Sequence, residues 1–515
     1  MRIGLDVGGT HTDAVILDGR DILARHKATT SADITSGIVE AFTTVLDVAG
    51  AQPSAIDAVM LGTTQFTNAV VERRGLSLVA TVRVALPSGE CLPPMVDWPD
   101  DLSAALGRHV YMLQGGSEFD GRDLAPLDEE EIDRVSADIR SKGLKAVAVS
   151  AVFSPIRPDV EHAVAERMAA ALPEARIVCS HELGRLGLLE RENAAILNAC
   201  LLEAAERVVS GFEELLTRLD ITAPFFVSQN DGTVMQATTV RRYPVLTFSS
   251  GPTNSMRGAA FLSGIKDAIV ADVGGTTTDI GMLINGFPRE SSWTVEIGGV
   301  RSNYRMPDIL AIGLGGGSLV GADGAAVGPR SVGHDLVRRG RCFGGDTLTA
   351  TDIAVAAGLA TIGAPVDLDR AIVKTAQATM HAMATDAVDR IKTSADPLPL
   401  IAVGGGQFLI GDGIPGISRI VRPPHADVAN AVGAALAQVS GEVEHLYRPG
   451  RDSRERAIAA ATEQATGKAI AAGARPQSVD VVAVDEIPIP YMAQETVRLH
   501  ARVVGDLDLP ADARP

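Results

Sequence analysis

Residues 3–17 read IGLDVGGTHTDAVIL, and residues 269–283 repeat nearly the same string as IVADVGGTTTDIGML, with nine of the fifteen positions identical. In each copy an apolar strand pattern runs into Asp-Val-Gly-Gly-Thr, continues through Thr-Asp and returns to apolar residues. This pattern predicts two β-strands joined by a tight turn. Glycine lets the backbone approach a ligand closely, and successive backbone N–H groups form a concavity that binds anions. The repeat therefore predicts two phosphate-binding turns.

The candidate phosphate ligands are the backbone N–H groups and threonine hydroxyls of these two turns. They are Gly8, Gly9, Thr10 and Thr12 in the first turn and Gly274, Gly275, Thr276 and Thr277 in the second turn. Carboxylate oxygens suit a magnesium ion or its waters, so Asp6 and Asp272 are the candidate catalytic and metal-binding residues. Asp13 and Asp279 follow in the returning strands and are interpreted as hairpin or ion-pair carboxylates.

The turns differ from the commoner phosphate loops. After the first turn the chain forms a strand that ends at Asp18-Gly19, and another strand follows, so no helix opens at the glycines as in a dinucleotide fingerprint. A Walker-type loop is also missing, since the stretch 466–469, TGKA, lacks the upstream glycine and the final hydroxyl. One DVGGT string alone is compatible with a purely structural hairpin. Two copies in the same context favour a shared function.

Composition limits the class of protein. A chain of 515 residues predicts two or three domains, and a formal net charge of −18 argues against a nucleic-acid partner. The longest apolar runs fall short of a membrane span, so we expect no membrane segment. A strand and a functional turn by residue 6 leave no room for a signal peptide, which predicts a cytoplasmic location. The four cysteines form no CxxC pair and are interpreted as reduced packing residues.

Periodicity predicts duplicated α/β lobes. Strands near 2–8, 12–18 and 21–29, a helix at 33–49, a strand at 58–62, a helix at 67–74 and a strand at 76–82 indicate an antiparallel meander that continues as a mixed sheet. The second copy is expected to begin likewise, with strands at 268–273, 278–284 and 290–297. Between the copies we expect alternating helices and strands over 128–180 and a long helix at 189–218. The predicted division is 1–187 for the first lobe, 188–445 for the second, and 446–515 for a C-terminal helix and strands that pack back or bind a partner.

The two glycine turns and several other motifs resemble those of a known protein family. The two turns resemble the phosphate-1 and phosphate-2 motifs of the actin-like ATPase and sugar-kinase superfamily, in which ATP lies between two ribonuclease-H-like lobes. More narrowly, the chain resembles the A subunit of the hydantoinase/oxoprolinase family. The motifs are both turns with their flanking aspartates, Gly62-Thr63-Thr64 with Asn68, Glu192-Asn193 with Asn198, Ser250-Gly251-Pro252, and the glycine run 312–318.

The resemblance implies an α/β fold with two ribonuclease-H-like lobes, mixed sheets and a nucleotide cleft, and it implies ATP and magnesium as cofactors. Related proteins open cyclic amides such as hydantoins, 5-oxoproline and other lactams, together with a B-type subunit. This chain departs from the longer family members in its 333–340 loop. Its 449–515 segment is interpreted as a replacement of their C-terminal region.

For each of the further glycine and hydroxyl motifs, a purely structural role is the alternative to ligand binding. Gly404, Gly405 and Gly406 follow a buried strand and are assigned to the adenosine, although a sharp strand exit is the simpler alternative. The remaining candidates are assigned to the substrate, with N-caps and structural turns as their alternatives. These candidates are Thr63, Thr64, Asn68, Ser250, Gly251, Gly315, Gly316 and Gly317.

The resulting hypothesis is an ATP-dependent hydrolase subunit that phosphorylates the carbonyl of a small cyclic amide so that the ring opens. The alternatives are an actin-like ATPase that reactivates a partner enzyme, and a small-molecule kinase. We expect a B-type or other hydrolase subunit as a partner. The sequence leaves the ring substrate and the oligomeric state open, a homo-oligomer included.

Overall fold

The computed structural model describes residues 1–8, 11–29, 34–291, 295–449, 453–489 and 495–509. The first part of the chain forms the predicted three-stranded meander and the elements that follow it. These elements are β1 (Arg2–Val7), β2 (His11–Asp18), β3 (Asp21–Thr29), α1 (Ile34–Ala49), β4 (Ala58–Thr63) and α2 (Gln65–Glu72).

The next part of the chain forms a separate sheet. Its elements are β5 (Val79–Leu86), α3 (Asp100–Ala105), β6 (His109–Gln114), α4 (Glu129–Ser141), β7 (Ala146–Ala151), α5 (Pro158–Ala171) and β8 (Arg176–Cys179). The four strands are parallel in the order β6-β5-β7-β8. The prediction that the strand at 76–82 continues the first sheet is therefore wrong. β5 is buried along nearly its whole length, as expected for a strand covered on both faces in a parallel sheet.

The chain then returns to the first sheet. It forms α6 (Leu188–Arg218), β9 (Phe225–Ser228), β10 (Val234–Gln236), α7 (Ala237–Arg242) and α8 (Ser250–Ser263). The first sheet has the order β10-β9-β4-β1-β2-β3, with β4 parallel to β1 and β9 parallel to β4. Strands from both sides of the proposed 187/188 boundary thus share one sheet, and the division of the chain into domains stays a prediction.

The second lobe repeats this plan. Its elements are β11 (Ala268–Val273), β12 (Thr278–Ile284), β13 (Phe287–Pro288), β14 (Val295–Ile297), β15 (Val300–Ser302), β16 (Ile309–Ile312), β17 (Ser318–Val320), β18 (Val327–Ser331), α9 (Leu336–Arg339), α10 (Ala350–Ala356), α11 (Arg370–Ile391), β19 (Leu398–Val403), β20 (Ile417–Val421) and α12 (Ala429–Ala434).

The second sheet has the order β13-β12-β11-β19-β20, and β16 also pairs with β12. The predicted third strand at 290–297 is wrong as drawn: β13 and β16 take that position, and β14 pairs with β15 in a separate hairpin. Residues 292–294 of that prediction lie outside the described residues.

The sequence repeat is also a structural repeat. β1 pairs antiparallel with β2 and parallel with β4, and β11 pairs antiparallel with β12 and parallel with β19. The registers match, because Asp6 lies opposite Asp13 and Asp272 lies opposite Asp279. The predicted α/β fold with two duplicated, ribonuclease-H-like lobes is confirmed.

Helices α8 and α12 cross between the two sheets. A side chain at Gly258 would place its Cβ 1.9 Å from the Ala429 carbonyl oxygen, and one at Gly433 would place it 1.8 Å from the Asn254 carbonyl oxygen. On the first-lobe side, a Cβ at Gly4 would lie 2.2 Å from the Ala431 carbonyl oxygen. These glycines therefore allow two helices and a strand to approach at backbone distance.

The chain ends in β21 (Gln438–Tyr447), α13 (Arg454–Ala471), β22 (Asp480–Ile489) and β23 (Thr496–Asp506). The strands form an antiparallel sheet in the order β21-β23-β22. Val439, Ala465 and Leu499 of this segment share a core with Met60 and Phe226 of the first sheet, so it packs back onto the first lobe. Across the ranges described, no helix is both long and apolar enough to cross a membrane.

Candidate nucleotide site

A row of charged residues crosses the first sheet next to the first turn. Asp6 of β1 lies opposite Asp13 of β2, and Asp13 lies opposite Lys27 of β3. Paired residues of neighbouring strands share one face of the sheet, so the three side chains are neighbours. The Lys27 Nζ lies 2.5 Å from the Asp13 Oδ1. Asp6 and Asp13 are 6 % and 3 % exposed, so this acid pair is buried beside a cation.

Two amide side chains from the crossing helices hold the acid pair. Asn254 of α8 donates from Nδ2 to the Asp6 Oδ1 over 3.3 Å. Asn430 of α12 donates from Nδ2 to the Asp6 Oδ2 over 2.9 Å and to the Asp13 Oδ2 over 2.7 Å. The carboxylate of Asp6 also fills the space above Gly62, where a Cβ would lie 2.1 Å from its Oδ1. The predicted metal carboxylate is therefore fixed from three sides.

Burial makes these carboxylates costly to ionise. Burial first, and then the charge of Asp13, raise the pKa of Asp6 to about 6, although the two amide donors act against this rise. In the second lobe burial raises the pKa of Asp272, and burial together with the Asp272 charge raises the pKa of Asp279 to about 7. Asp272 also acts on Asp6 across the cleft. Acids of both lobes are thus near enough to raise one another's pKa, and a divalent cation would offset their charge.

The donor set fits magnesium, a hard cation that prefers oxygen ligands and retains several waters. Among the described residues, Asp6, Asp13 and Asp272 do not form a group of three whose ligand atoms lie within 4.8 Å of one another. An ion held by Asp6 and Asp272 would have two protein carboxylates as ligands and would retain waters at its other positions. The one described group that meets the distance criterion is Glu161, Cys179 and His181 in the parallel-sheet region, and the Glu161 carboxylate already accepts hydrogen bonds from Ser180 and His181.

The second turn presents an open backbone surface. Gly274 donates from its N–H to the Thr277 carbonyl, closing the turn, and Gly275, Thr276 and Thr277 are exposed. A Cβ at Gly275 would contact nothing within 4 Å among the described atoms. This turn is therefore accessible to a ligand, as its predicted phosphate-binding role requires.

The glycine turn at 404–406 adjoins the second turn. Gly404 has a φ of +84°, and a Cβ there would lie 2.4 Å from the Asp272 Oδ1. Gly406 donates from its N–H to the Val273 carbonyl over 2.8 Å, and Gly405 is exposed. The turn thus borders the second-lobe carboxylate, and its adenosine assignment stays a prediction.

Gly315, Gly316 and Gly317 lie behind the second turn. All three are buried, and the N–H groups of Gly316 and Gly317 donate to the carbonyls of Gly274 and Gly275 over 3.0 and 2.7 Å. They support the turn from within the lobe. Their geometry favours the structural alternative over contact with substrate.

The first turn is described in part. Gly8 is described, whereas Gly9 and Thr10 lie outside the described residues. Thr12 is fully buried, and it precedes Asp13 in β2, so its side chain points to the opposite face of the sheet. Its hydroxyl is therefore turned away from the carboxylates, and only its backbone remains available for the predicted role.

The remaining predicted substrate residues meet beside the first turn. The Thr64 Oγ1 lies 3.5 Å from the Val7 carbonyl oxygen, and Asn68 donates to the Thr64 Oγ1 over 3.4 Å. The Ser250 Oγ donates to the Thr63 carbonyl over 3.3 Å, which joins the start of α8 to the start of α2. The Gln65 N–H at the start of α2 donates to the Thr63 Oγ1 over 3.2 Å, whereas α8 has no side-chain cap hydrogen bond among the described residues.

Two cavities of about 750 and 1140 Å³ in the described part of the chain are lined by residues of neither turn. Three residues that contact the acid pair were not predicted from the sequence, namely Lys27, Asn254 and Asn430. Pairing of β2 with β3 across the Asp18-Gly19 turn is a sequence signal that places Lys27 opposite Asp13, whereas the two asparagines lie far along the chain and carry no local signal.

Comparison with known proteins places the chain in a family. The hydantoinase/oxoprolinase N-terminal region matches residues 2–172, and the hydantoinase/oxoprolinase region matches residues 191–362. The chain is 27% identical to caprolactamase subunit alpha of Pseudomonas jessenii over 70% of its length and 55% of the relative. It is 26% identical to the acetophenone carboxylase gamma subunit of Aromatoleum aromaticum over 69% of its length and 53% of the relative. The chain thus spans about half the length of these curated relatives.

Solved structures share the fold over almost the whole chain. The crystal structure of ATP-dependent caprolactamase from Pseudomonas jessenii superposes with a TM-score of 0.81 at 20% identity, covering 98% of this chain and 87% of that one. Nucleotide-free acetone carboxylase superposes with a TM-score of 0.67 at 17% identity, covering 99% and 88%. This coverage extends into the 449–515 segment, and the interpretation of that segment as a replacement stays a prediction. The two matched regions together span most of the chain, and the protein belongs to the hydantoinase/oxoprolinase family.

Proposed function

We propose that this protein is an ATP- and magnesium-dependent enzyme subunit that phosphorylates the carbonyl oxygen of a small cyclic amide. The observation that carries the proposal is the acidic hairpin duplicated in each lobe, together with the charge of Asp272, which raises the pKa of Asp6 in the other lobe. Family membership supports it, because caprolactamase and a 5-oxoprolinase of Pestalotiopsis fici are among the relatives.

The chemistry explains the need for ATP. Resonance makes an amide carbonyl a poor electrophile and its ring nitrogen a poor leaving group. In the proposed reaction the carbonyl oxygen attacks the γ-phosphorus and ADP leaves, so the oxygen carries the phosphoryl group and the resonance is lost. Water then adds to the ring carbon and the C–N bond breaks as the nitrogen takes a proton, which leaves a ring-opened amine with an acyl phosphate. A second water attacks the acyl carbon, and phosphate departs with the former carbonyl oxygen.

The residues of the cleft have distinct roles in this proposal. Asp6 and Asp272 hold magnesium directly or through water, and the N–H groups of both turns bind the phosphates. Catalysis of phosphoryl transfer then consists mainly of positioning and charge neutralisation. Thr63, Thr64, Asn68, Ser250 and Gly251 lie next to the first turn, where an acceptor carbonyl would approach the γ-phosphate. A B-type or other hydrolase subunit completes the ring opening, consistent with the subunit names of two relatives.

Ketones are a second substrate class to be tested, since the acetophenone carboxylase relative is nearly as similar to this chain as the caprolactamase relative. A ketone also offers a carbonyl oxygen as the phosphoryl acceptor. The deciding experiment measures ADP release with a panel of hydantoins, 5-oxoproline, other lactams and, with bicarbonate, simple ketones. The partner subunit is present in each assay. We expect at least one ring compound to raise ADP release well above the basal rate.

Isotope transfer then tests the mechanism. With ¹⁸O in the substrate carbonyl, the label should appear in inorganic phosphate. A reactivating ATPase would draw its phosphate oxygens from ATP and water only, and a small-molecule kinase would yield a stable phosphate ester. Confirmed ring opening without label in phosphate would exclude carbonyl phosphorylation.

A further inference from the structure

The two hairpins differ at one position of their charged rows. In the first lobe the row runs Asp6, Asp13, Lys27, whereas in the second lobe it runs Asp272, Asp279, Ala311. The repeat therefore places a cation on one side of the cleft and an alanine at the corresponding position on the other. This asymmetry is not required by the fold, because the second lobe forms the same hairpin without the lysine.

Lys27 is placed to reach a ligand. Its side chain is 35% exposed, while the Asp13 carboxylate that it contacts is 4% exposed. An ammonium group has three donors, and Asp13 is the ion-pair partner of Lys27 among the described residues. The Lys27 charge also acts to lower the pKa of Asp272, so the ammonium is near enough to the second-lobe carboxylate to interact with it.

The charge balance gives this position a function. Each lobe carries a pair of neighbouring carboxylates next to its turn, and a nucleotide triphosphate bound there would add further negative charge. Like charges that lie close together repel strongly when water is excluded. A magnesium ion offsets part of this repulsion, and the lysine beside Asp13 offsets more of it.

We propose that Lys27 is a catalytic residue that contacts the terminal phosphoryl group of the nucleotide and neutralises the charge developing on it during transfer. Asp13, held by Asn430, fixes the ammonium at the edge of the cleft and leaves two of its donors for phosphate oxygens. The inference rests on the proposed function for the identity of the nucleotide. It goes beyond that function by assigning the group that distinguishes a triphosphate from a diphosphate.

Nucleotide affinity tests the contact without turnover. In Lys27→Met, calorimetric titration should show a non-hydrolysable ATP analogue binding about ten-fold more weakly, as for a lost charge-assisted hydrogen bond. ADP affinity should change by less than about two-fold, because ADP lacks the contacted phosphate. Lys145→Met is the matched control, since Lys145 lies in the parallel-sheet region, is 73% exposed and pairs with Glu174. Equal analogue affinity in wild type and Lys27→Met would overturn the proposal.

A double variant separates the catalytic role from a counter-ion role. Lys27→Met alone leaves the buried Asp13 unpaired, whereas Lys27→Met combined with Asp13→Asn does not. If Lys27 only balances Asp13, the second substitution restores ATP turnover to the level of Asp13→Asn alone, and the proposal is wrong. If Lys27 contacts the phosphoryl group, turnover stays lower on both backgrounds, by a factor on the order of 10².

Lys27→Arg keeps the charge and should recover part of the preference for the analogue over ADP. Thermal melts verify that each variant is folded. The binding result stands apart from the substrate panel: loss of analogue preference without any ring-stimulated ADP release supports Lys27 and removes the cyclic-amide function. Ring-stimulated ADP release with an unchanged analogue preference supports the cyclic-amide function and excludes the role of Lys27.

Discussion

At the scale of single residues, Asp272 is the clearest test of the proposed metal site. Its carboxylate adjoins Gly404 in the second lobe and interacts with Asp6 of the first. Asp272→Asn keeps the shape and removes the charge, so ATP turnover should fall by a factor on the order of 10² or more. Steady-state ADP release with substrate and partner present is the measurement. Wild-type turnover in this variant would remove Asp272 from the mechanism.

Asp279 predicts a pH dependence of stability. Its folded pKa of about 7 lies above the roughly 3.9 of an unfolded aspartate. The folded state therefore binds more protons between these values. The stabilising contribution is complete below about pH 4 and is lost as the pH rises through about 7. Asp279→Asn cannot ionise and should lose less stability over that interval.

Urea denaturation of the metal-free protein at pH 5 and pH 8 measures the effect. The free energy of unfolding of Asp279→Asn, relative to wild type, should increase from the lower to the higher pH. The same pH dependence in both proteins would show that the Asp279 carboxyl is not held in its neutral form. Magnesium and nucleotide should reduce the difference, because a bound cation favours the ionised carboxylate.

Residue identities were predictable where the local pattern carried them. Asp6, Asp272 and the turn glycines stand in a repeated string, and the structure places both aspartates at matching positions of two equivalent hairpins. Thr12 was assigned to phosphate without regard to strand alternation, which turns its side chain away from Asp13. Asn254 and Asn430 contact Asp6 from distant helices, so only the tertiary structure reveals them.

At the scale of elements, β4 controls the position of a side chain on β1. The Cβ of Gly62→Ala would lie 2.1 Å from the Asp6 Oδ1 and 2.5 Å from the Asn254 Nδ2. The carboxylate must therefore move, and displacement of a positioned group by about 1 Å costs on the order of 10²-fold in rate. We expect ATP turnover to fall by about that factor, measured as ADP release. Gly467→Ala in α13 is the control, because its Cβ would contact nothing within 4 Å among the described atoms.

Unaltered turnover in Gly62→Ala would show that the exact placement of Asp6 is unimportant.

Two strand predictions were wrong because strand pairing is decided by the tertiary structure. Periodicity located β5 but not its sheet, because a buried strand has the same apolar sequence pattern in a mixed sheet and in a parallel one. The short β13 and β16 replace one long strand through pairings that no local pattern encodes.

At the scale of the molecule, the duplicated lobes are joined by α8 and α12, whose crossing depends on Gly258 and Gly433. Asn254 and Asn430 on these same helices hold the first-lobe carboxylates. Any change in the helix crossing therefore changes the position of Asp6 as well as the relation of the lobes. The repeat in the sequence was sufficient to predict two lobes and a cleft. The helix pair that links lobe geometry to the acid pair was not predictable.

A nucleotide held by both turns should protect both lobes at once. We expect magnesium with a non-hydrolysable ATP analogue to slow amide hydrogen exchange in β1–β2 and in β11–β12 together. A ligand that binds only the folded state lowers the population of opened forms by mass action, and here each hairpin contributes part of the site. The parallel sheet β5–β8 contributes no residue to either turn, so its exchange is the internal control. Protection confined to one hairpin would mean that the nucleotide binds a single lobe, and the bridging of Asp6 and Asp272 by one ligand would then be wrong.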